Sequence, residues 1–226
     1  PAGEMEGIAR EILERKLRIQ WLSLVRIERG FDRALFRLLS DSGCVELQFG
    51  LESVSAGDLG KVRKGISPDD VDVLLDASEG SGIRVNLFVM NFPGQDRSDF
   101  EKTLEFCSSN PSRINNFPIQ RFVLSRGSPA FDEGEEIGIR LLPGADRDLD
   151  VFNVPYDARE EVEFGEFVRM ATNATMKFRS AGTDVQQSFW DVQGVVSRLA
   201  GNGIAGRRGP EPGHGELPLK VLLVRA

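Results

Sequence analysis

The sequence predicts an α/β fold whose parallel strands close part of a barrel, and three observations carry that expectation. Helical and strand patterns alternate four times between residues 4 and 124. The strand pattern at 45–52 has one apolar and one polar face. A stretch at 127–157, rich in Gly, Pro and Asp and without a sustained period, then ends the alternation.

The first helical pattern, 4–16, sets Ile8 and Ile12 on one face, and the apolar run 19–27 that follows is rich in strand formers. Phe31, Leu35, Leu38 and Leu39 mark a second helix that stops at Gly43, and residues 45–51 then alternate apolar with polar. Ser67-Pro68-Asp69-Asp70 is a helix start: Ser at the N-cap, Pro at the first position and two acids in the first turn. Val71, Leu74 and Leu75 form the buried stripe of that helix, Gly80 and Gly82 end it, and 83–90 is the third strand. Phe100, Leu104 and Cys107 line the next helix, and 117–124 is the fourth strand.

Strands joined by helices are parallel neighbours, because a parallel partner is reached only through a crossover of that length. The four strands are therefore expected side by side in chain order. Strands of an open parallel sheet are covered on both faces and read as continuous apolar runs, whereas Glu46, Gln48, Gly50 and Glu52 share one face here. A polar lumen accounts for that face, with Leu47 and Phe49 under the outer helices; an edge strand with one wet face is the competing explanation. Beyond 157, two amphipathic helices are expected, one through Phe164, Phe167, Val168, Ala171, Ala174 and Phe178 and one through Val185, Phe189, Val192, Val196 and Leu199. They pack on the barrel or form a small accessory unit. A Gly/Pro linker at 201–215 and a terminal strand at 219–224 complete the chain, giving three parts: 1–140, a partial barrel; 141–200, an irregular connection with accessory helices; and 201–226, linker and strand.

Composition narrows the function. Of 226 residues, 40% are hydrophobic and 28% charged, the profile of a globular protein. No run approaches the roughly 18 apolar residues of a membrane span, and residues 1–10 have no secretion pattern, so a cytoplasmic location without a membrane partner is expected. The first residue, Pro1, is not methionine, from which a start inside a longer protein is expected. A net charge of −7 and a pI near 5.0 disfavour a broad nucleic-acid surface. Cys44 and Cys107, the two cysteines, have no paired spacing and read as buried thiols rather than a disulfide framework or a metal site. His214, the single histidine, lies between glycines, which argues against a His-based triad.

In parallel α/β folds the site lies at the C-terminal ends of the strands. There the sequence places Arg26 and Glu28; Glu52, Ser53 and Ser55; Asn91, Pro93, Gly94 and Gln95; and Ser125 and Arg126. Glu52 is placed to accept two hydrogen bonds from a diol, or else to cap a helix or sit in solvent. Pro93-Gly94 is a tight turn whose backbone suits an adenine edge, although most such turns are only turns. Arg26 is suited to a carboxylate fork or to a rim ion pair with Glu28.

Gly43-Cys44 through Gly50-Leu51-Glu52-Ser53, then Lys64-Gly65-Ile66-Ser67, then Gly82-Ile83-Arg84-Val85 leading to Phe92-Pro93-Gly94-Gln95-Asp96, resemble the second half of radical S-adenosylmethionine (radical SAM) barrels. The style is that of members with an upstream cobalamin-binding domain. Residues 18–28 resemble the third barrel strand, and 122–129 the sixth strand and its exit loop, so the resemblance covers about residues 5–140. It implies a partial (β/α)6-type, TIM-like barrel that binds S-adenosylmethionine. Glu52 would contact the ribose with Ser53 beside it. Residues 90–94, including Asn91, Pro93 and Gly94, would pack on adenine; Arg26 would reach the methionine part; and the 122–128 segment, including Ser125, would add a backbone contact to adenine. Asn91 stands where relatives commonly have Gly, and Gln95 where they commonly have Glu.

Such enzymes hold a four-iron four-sulfur cluster through CxxxCxxC, which leaves one iron open to the cofactor. This sequence has no such motif. The resemblance thus implies a cluster, and a cobalamin domain, in a complete parent that also supplies the first strands. Its substrate would be a small molecule or peptide, and no catalytic residue is assigned. The alternatives are a non-catalytic binding or scaffold protein on a degraded barrel, and an unrelated barrel lyase, which would lack a rim Lys nucleophile, metal cluster or phosphate loop.

Overall fold

The structure is a computed structural model and describes residues 1–143, 154–158, 162–181 and 221–225. In chain order it shows α1 (Ala2–Glu14), β1 (Gln20–Arg26), α2 (Arg33–Asp41), β2 (Cys44–Glu52), α3 (Ala56–Lys61), α4 (Pro68–Ser78), β3 (Arg84–Asn91), α5 (Arg97–Ser108) and β4 (Ile119–Arg121). There follow α6 (Pro129–Asp132), a 3-10 turn (Gly134–Ile137), β5 (Ile139–Leu141), β6 (Tyr156–Ala158), α7 (Phe164–Ser180) and β7 (Val221–Arg225).

The main sheet has the order β4-β3-β2-β1-β7, and every pairing in it is parallel. The four expected strands are thus adjacent in chain order. The register also follows the expectation. Leu47, Phe49 and Leu51 of β2, Val85, Leu87 and Val89 of β3 and Trp21 and Val25 of β1 are buried in one cluster with the helices. On the opposite face, Gln48, Gly50 and Glu52 line a cavity with Leu24, Phe88, Met90 and Gln120. Four helices cover the sheet with apolar stripes: Met5, Ala9 and Ile12 from α1, where the expected Ile8 is only half-buried, Leu35, Phe36 and Leu39 from α2, where the expected Leu38 is only half-buried, and, as expected, Val71, Leu74 and Leu75 from α4 and Phe100, Leu104 and Cys107 from α5. Helix α7 joins the same cluster: its Phe167 stacks on Phe100 at 5.8 Å, and its Phe178 meets Phe117 edge-on at 5.0 Å.

Three details depart from the sequence reading. The fourth strand is shorter than 117–124: Pro118 cannot donate to the ladder, so the pairing starts as an isolated bridge at Asn116 and becomes regular only at Ile119. Helix α3 was not anticipated, because two of its six residues are glycine and its pattern is too short to register as periodic. The stretch after Gly127 is not wholly irregular; Ser128 caps α6 through Phe131 N at 3.3 Å, and β5 pairs antiparallel with β6 over a second small cluster of Leu124, Ile139 and Val154. Elements of three or four residues leave no period to read. The terminal strand is found as β7, whereas the helix through Val185 and Leu199 and the linker at 201–215 lie outside the described residues. Among the described residues no helix is long and apolar enough to cross a membrane.

The start of α4 is the cap that the sequence announces. Ser67 Oγ accepts from Asp70 N, and the Asp70 carboxylate accepts from Ser67 N at 2.8 Å. These bonds to Ser67, with a smaller contribution from Arg29, hold the Asp70 carboxyl below its ordinary value of 3.8. A group depressed in the folded state stabilises the fold above its unfolded value and loses that contribution as pH falls through the folded value. Asp70→Ala is therefore expected to cost about 1 kcal/mol at pH 7, with the difference from the parent chain shrinking as pH falls below 3.8. Urea unfolding at pH 7 and at pH 3 checks it; a pH-independent difference would assign the loss to the helix backbone alone.

Candidate functional site

A cavity of about 780 Å³ opens at the C-terminal ends of β2 and β3 and is closed by the segment after β4. Glu52, Lys64, Met90, Phe92, Pro93, Gly94 and Ser125 are among its lining residues. A second space of about 680 Å³ lies beside it over the face of the sheet that carries Gln48 and Gly50; Glu52, Lys64 and Met90 border both. Volumes of this size are those of small-molecule sites.

Glu52 reaches the cavity through an irregularity in the strand. The β2–β3 register shifts between Gly50 and Glu52, and Glu52 itself takes a left-handed φ of 63°. That shift sends Leu51 into the core and the carboxylate to the cavity. There Glu52 Oε1 stands 2.8 Å from Lys64 Nζ, which also donates to Gly50 O at 3.2 Å. A Cβ on residue 50 would meet Lys64 Nζ at 2.8 Å and Glu52 Oε1 at 2.9 Å, so a side chain there would displace the ends of both flexible side chains. Glu52 is neither a helix cap nor a free acid: it is a half-buried carboxylate held by one cation, with acceptor capacity to spare.

Phe92–Gln95 is a tight turn. Gln95 N donates to Phe92 O at 3.2 Å, Pro93 sits at the second position and Gly94 takes φ 71° at the third, the type II pattern. Lys61 Nζ donates to Gly94 O at 2.6 Å. Ser125 borders the cavity from the other side and its carbonyl accepts from Ser128 Oγ at 2.7 Å. Arg126 lies over the Phe131 ring at 5.2 Å.

The structure therefore brings Glu52, Pro93, Gly94 and Ser125 together around one cavity and sets Arg26 on the adjoining one. Arg26 does not pair with Glu28. Its guanidinium donates to the backbone carbonyls of Arg63 and Lys64, while Glu28 accepts from Ala2 N. Ser53 and Asn91 line neither cavity; both are fully buried behind the rim. There Asn91 Nδ2 donates to Gln95 Oε1 at 3.0 Å, so the two positions that depart from the family pattern are bonded to each other. Lys61, Lys64 and Asp58 are the participants the sequence reading missed. Lys64 stands inside a quoted motif, but nothing local indicates that it reaches back to Glu52.

The thiols do not fit an iron-sulfur cluster. Both cysteines are buried; burial pushes the Cys44 thiol up to about 12 and the Cys107 thiol higher still, which disfavours the thiolate that ligation requires. Two thiols also fall short of three ligands. We expect anaerobic reconstitution of this chain to leave no stoichiometric iron and sulfide, and iodoacetamide to modify Cys44 and Cys107 only after unfolding. A bound cluster, or rapid native alkylation, would contradict the burial.

The cavity at the C-terminal ends of parallel strands, with an acid on a strand irregularity and a proline-glycine turn facing it, sits on a partial α/β barrel whose fold is similar to that of a solved radical SAM enzyme. Over 79% of its length the chain is similar in structure to 37% of coproporphyrinogen III oxidase from Escherichia coli, described as a radical SAM enzyme, with a TM-score of 0.53 and 12% identity. It is also similar, over 62% of its length and 29% of the other chain, to a radical S-adenosylmethionine methyltransferase from Kitasatospora setae, at TM-score 0.48 and 18% identity. In sequence it is 28% identical over 101 residues to an uncharacterized methyltransferase of Pyrococcus horikoshii, covering 44% of this chain and 22% of that protein. No protein-family model matches the chain. The chain spans less than two fifths of the length of each of these proteins.

Proposed function

We propose that this chain is the nucleoside-binding part of a radical SAM enzyme, and that the segment holding the iron-sulfur cluster lies outside it. The single observation that carries this reading is the convergence of Glu52 and the Pro93–Gly94 turn on one cavity from consecutive strands. Glu52 accepts the two ribose hydroxyls while Lys64 holds its carboxylate in place. The backbone of the 92–94 turn and of the segment at 122–125 meets the adenine between the apolar side chains of Met90, Phe92 and Val123. Arg26, fixed by two carbonyls, presents its charge toward the carboxylate of the methionine part.

When bound in the complete protein, the cofactor would supply the radical chemistry that removes a substrate hydrogen; this chain's own work is to bind the nucleoside and line the chamber over the face of the sheet that carries Gln48 and Gly50. Among the outcomes such enzymes reach, methyl transfer is the one that the name of the Pyrococcus relative supports. Calorimetric titration of the chain with 5′-deoxyadenosine tests the proposal, since that ligand presents the diol and the adenine and needs no cluster. Saturable binding with one site is expected. No binding, by this chain or by a cluster-bearing parent, would leave the reading as a scaffold on a degraded barrel.

A further inference from the structure

The two loops that carry the nucleoside groups are tied together behind the cavity. Asp58 of α3, 1% exposed, accepts at Oδ2 from Ser53 Oγ at 2.9 Å and from Gln95 Nε2 at 2.8 Å. Ser53 follows Glu52 and Gln95 follows Gly94, so one oxygen atom joins the acid to the turn. The directions of the bonds from Asn91 through Gln95 to Asp58 follow from the carboxylate at their end. A carboxylate only accepts, so Gln95 must present its nitrogen to Asp58 and its oxygen to Asn91, whose amide nitrogen donates at 3.0 Å. Ser53 Oγ also accepts from Ser55 N at 3.1 Å and lies 3.2 Å from Thr103 Oγ1. From the same helix, Lys61 Nζ donates to Gly94 O at 2.6 Å and stands 3.6 Å from Asp58 Oδ1. Helix α3 thereby touches both loops with adjacent turns.

This arrangement is costly as mere support. Asn91 Oδ1 is buried without a hydrogen-bond partner and Asp58 Oδ1 has only the Lys61 ammonium at 3.6 Å, and a buried acceptor left without a hydrogen bond is destabilising. Apolar side chains of the same volume would fill this space without that cost. What the polar chain adds is a fixed distance and direction between Ser53 and Gln95.

We infer that Asp58 and Gln95 are positioning residues for the nucleoside, forming a clamp that sets the spacing between Glu52 and the Pro93–Gly94 turn. This rests on the nucleoside-binding reading above. The clamp also dictates an amide at residue 95. A glutamate there would face the Asp58 carboxylate at the 2.8 Å now occupied by a hydrogen bond, two like charges out of water. One of the two must then take a proton or the loops must part.

The test is a double-mutant cycle on the full 226-residue chain, reading 5′-deoxyadenosine affinity and urea stability for Gln95→Glu, Asp58→Asn and the two combined. Gln95→Glu is expected to weaken binding about tenfold or more at pH 8 and to recover part of it toward pH 5, as one carboxyl protonates. In the combined variant the amide nitrogen introduced at position 58 donates one hydrogen to the carboxylate introduced at position 95 and the other to Ser53 Oγ, both bonds reverse direction and the charge moves to the other loop; affinity is expected within about threefold of the parent chain. If Gln95→Glu alone does not fold, Asp58→Asn takes its place, with a weakening of about threefold to tenfold that Gln95→Glu then reverses. Equal affinities across the cycle, with changes confined to stability, would overturn the clamp, as would failure of the combined variant to restore binding. Should Glu52→Ala leave affinity unchanged in the same assay, the nucleoside reading itself fails and the clamp with it; weakening by Glu52→Ala without any effect of the cycle would sink the clamp alone.

Discussion

Glu52→Ala is expected to weaken 5′-deoxyadenosine binding by about tenfold to a hundredfold, because a hydrogen bond to a charged acceptor is worth roughly 1.5–3 kcal/mol. The structure supplies a control for the one other role the carboxylate has, its pairing with Lys64 at 2.8 Å. Lys64→Met removes that pair and leaves the Glu52 carboxylate. The two variants should therefore lower the melting temperature by similar small amounts, since a partly exposed ion pair contributes at most about 1 kcal/mol. Their affinities should separate, with Lys64→Met the closer to the parent chain. Glu52→Gln keeps the shape without the charge and should fall between them. Equal affinities for Glu52→Ala and the parent chain would remove Glu52 from the site and leave it as half of an ion pair.

The largest loss of stability is expected from Phe49→Ala, at about 3–5 kcal/mol. Phe49 is fully buried at the middle of β2, and its ring meets Phe31 edge-on at 5.2 Å and 86°. Both neighbouring strands pair at this residue, with Val25 on one side and Leu87 on the other, so the sheet resists closing over the hole. Domains of this size are stable by about 5–15 kcal/mol in total, and the urea midpoint should fall steeply with little change in slope. Phe88 follows Leu87 on β3 yet faces the cavity; Phe88→Ala should cost clearly less. A cost for Phe88→Ala equal to that of Phe49→Ala would mean that the assignment of the two faces is wrong.

Much of the fold was legible because its causes are local. The cap Ser67-Pro68-Asp69-Asp70, the apolar stripes of α4 and α5, and the alternation of β2 are properties of a few neighbouring residues, and all reappear in the structure; the stripes of α1 and α2 reappear with Met5 and Ala9 buried more deeply than Ile8, and Phe36 more deeply than Leu38. The segment after Gly127 was not legible, since elements of three or four residues are shorter than any period that marks them. The site divided along the same line. Pro93–Gly94 could be recognised as a turn from two residues, and Glu52 as a rim acid from its place after Gly50. Ser53 and Asn91, drawn from the same segments, belong instead to the buried network behind the rim. Their neighbours in sequence face the cavity; a strand irregularity or a turn is enough to send adjacent side chains to opposite sides.

The class of fold, the order and direction of the strands, and the polar face of β2 follow from residue order alone, because hydrophobic period and crossover length leave few other solutions. The sequence also has only two cysteines, which cannot supply the three thiolates of a cluster. The partners emerge from packing in three dimensions: Lys64 crosses Gly50 to reach Glu52, and Asp58 reaches Gln95 across 37 residues of chain and ties it to Ser53. Those contacts depend on how far apart the strand ends lie and on a register shift in one strand. Distances of that kind are set by packing of the whole sheet and have no counterpart in the spacing of residues along the chain.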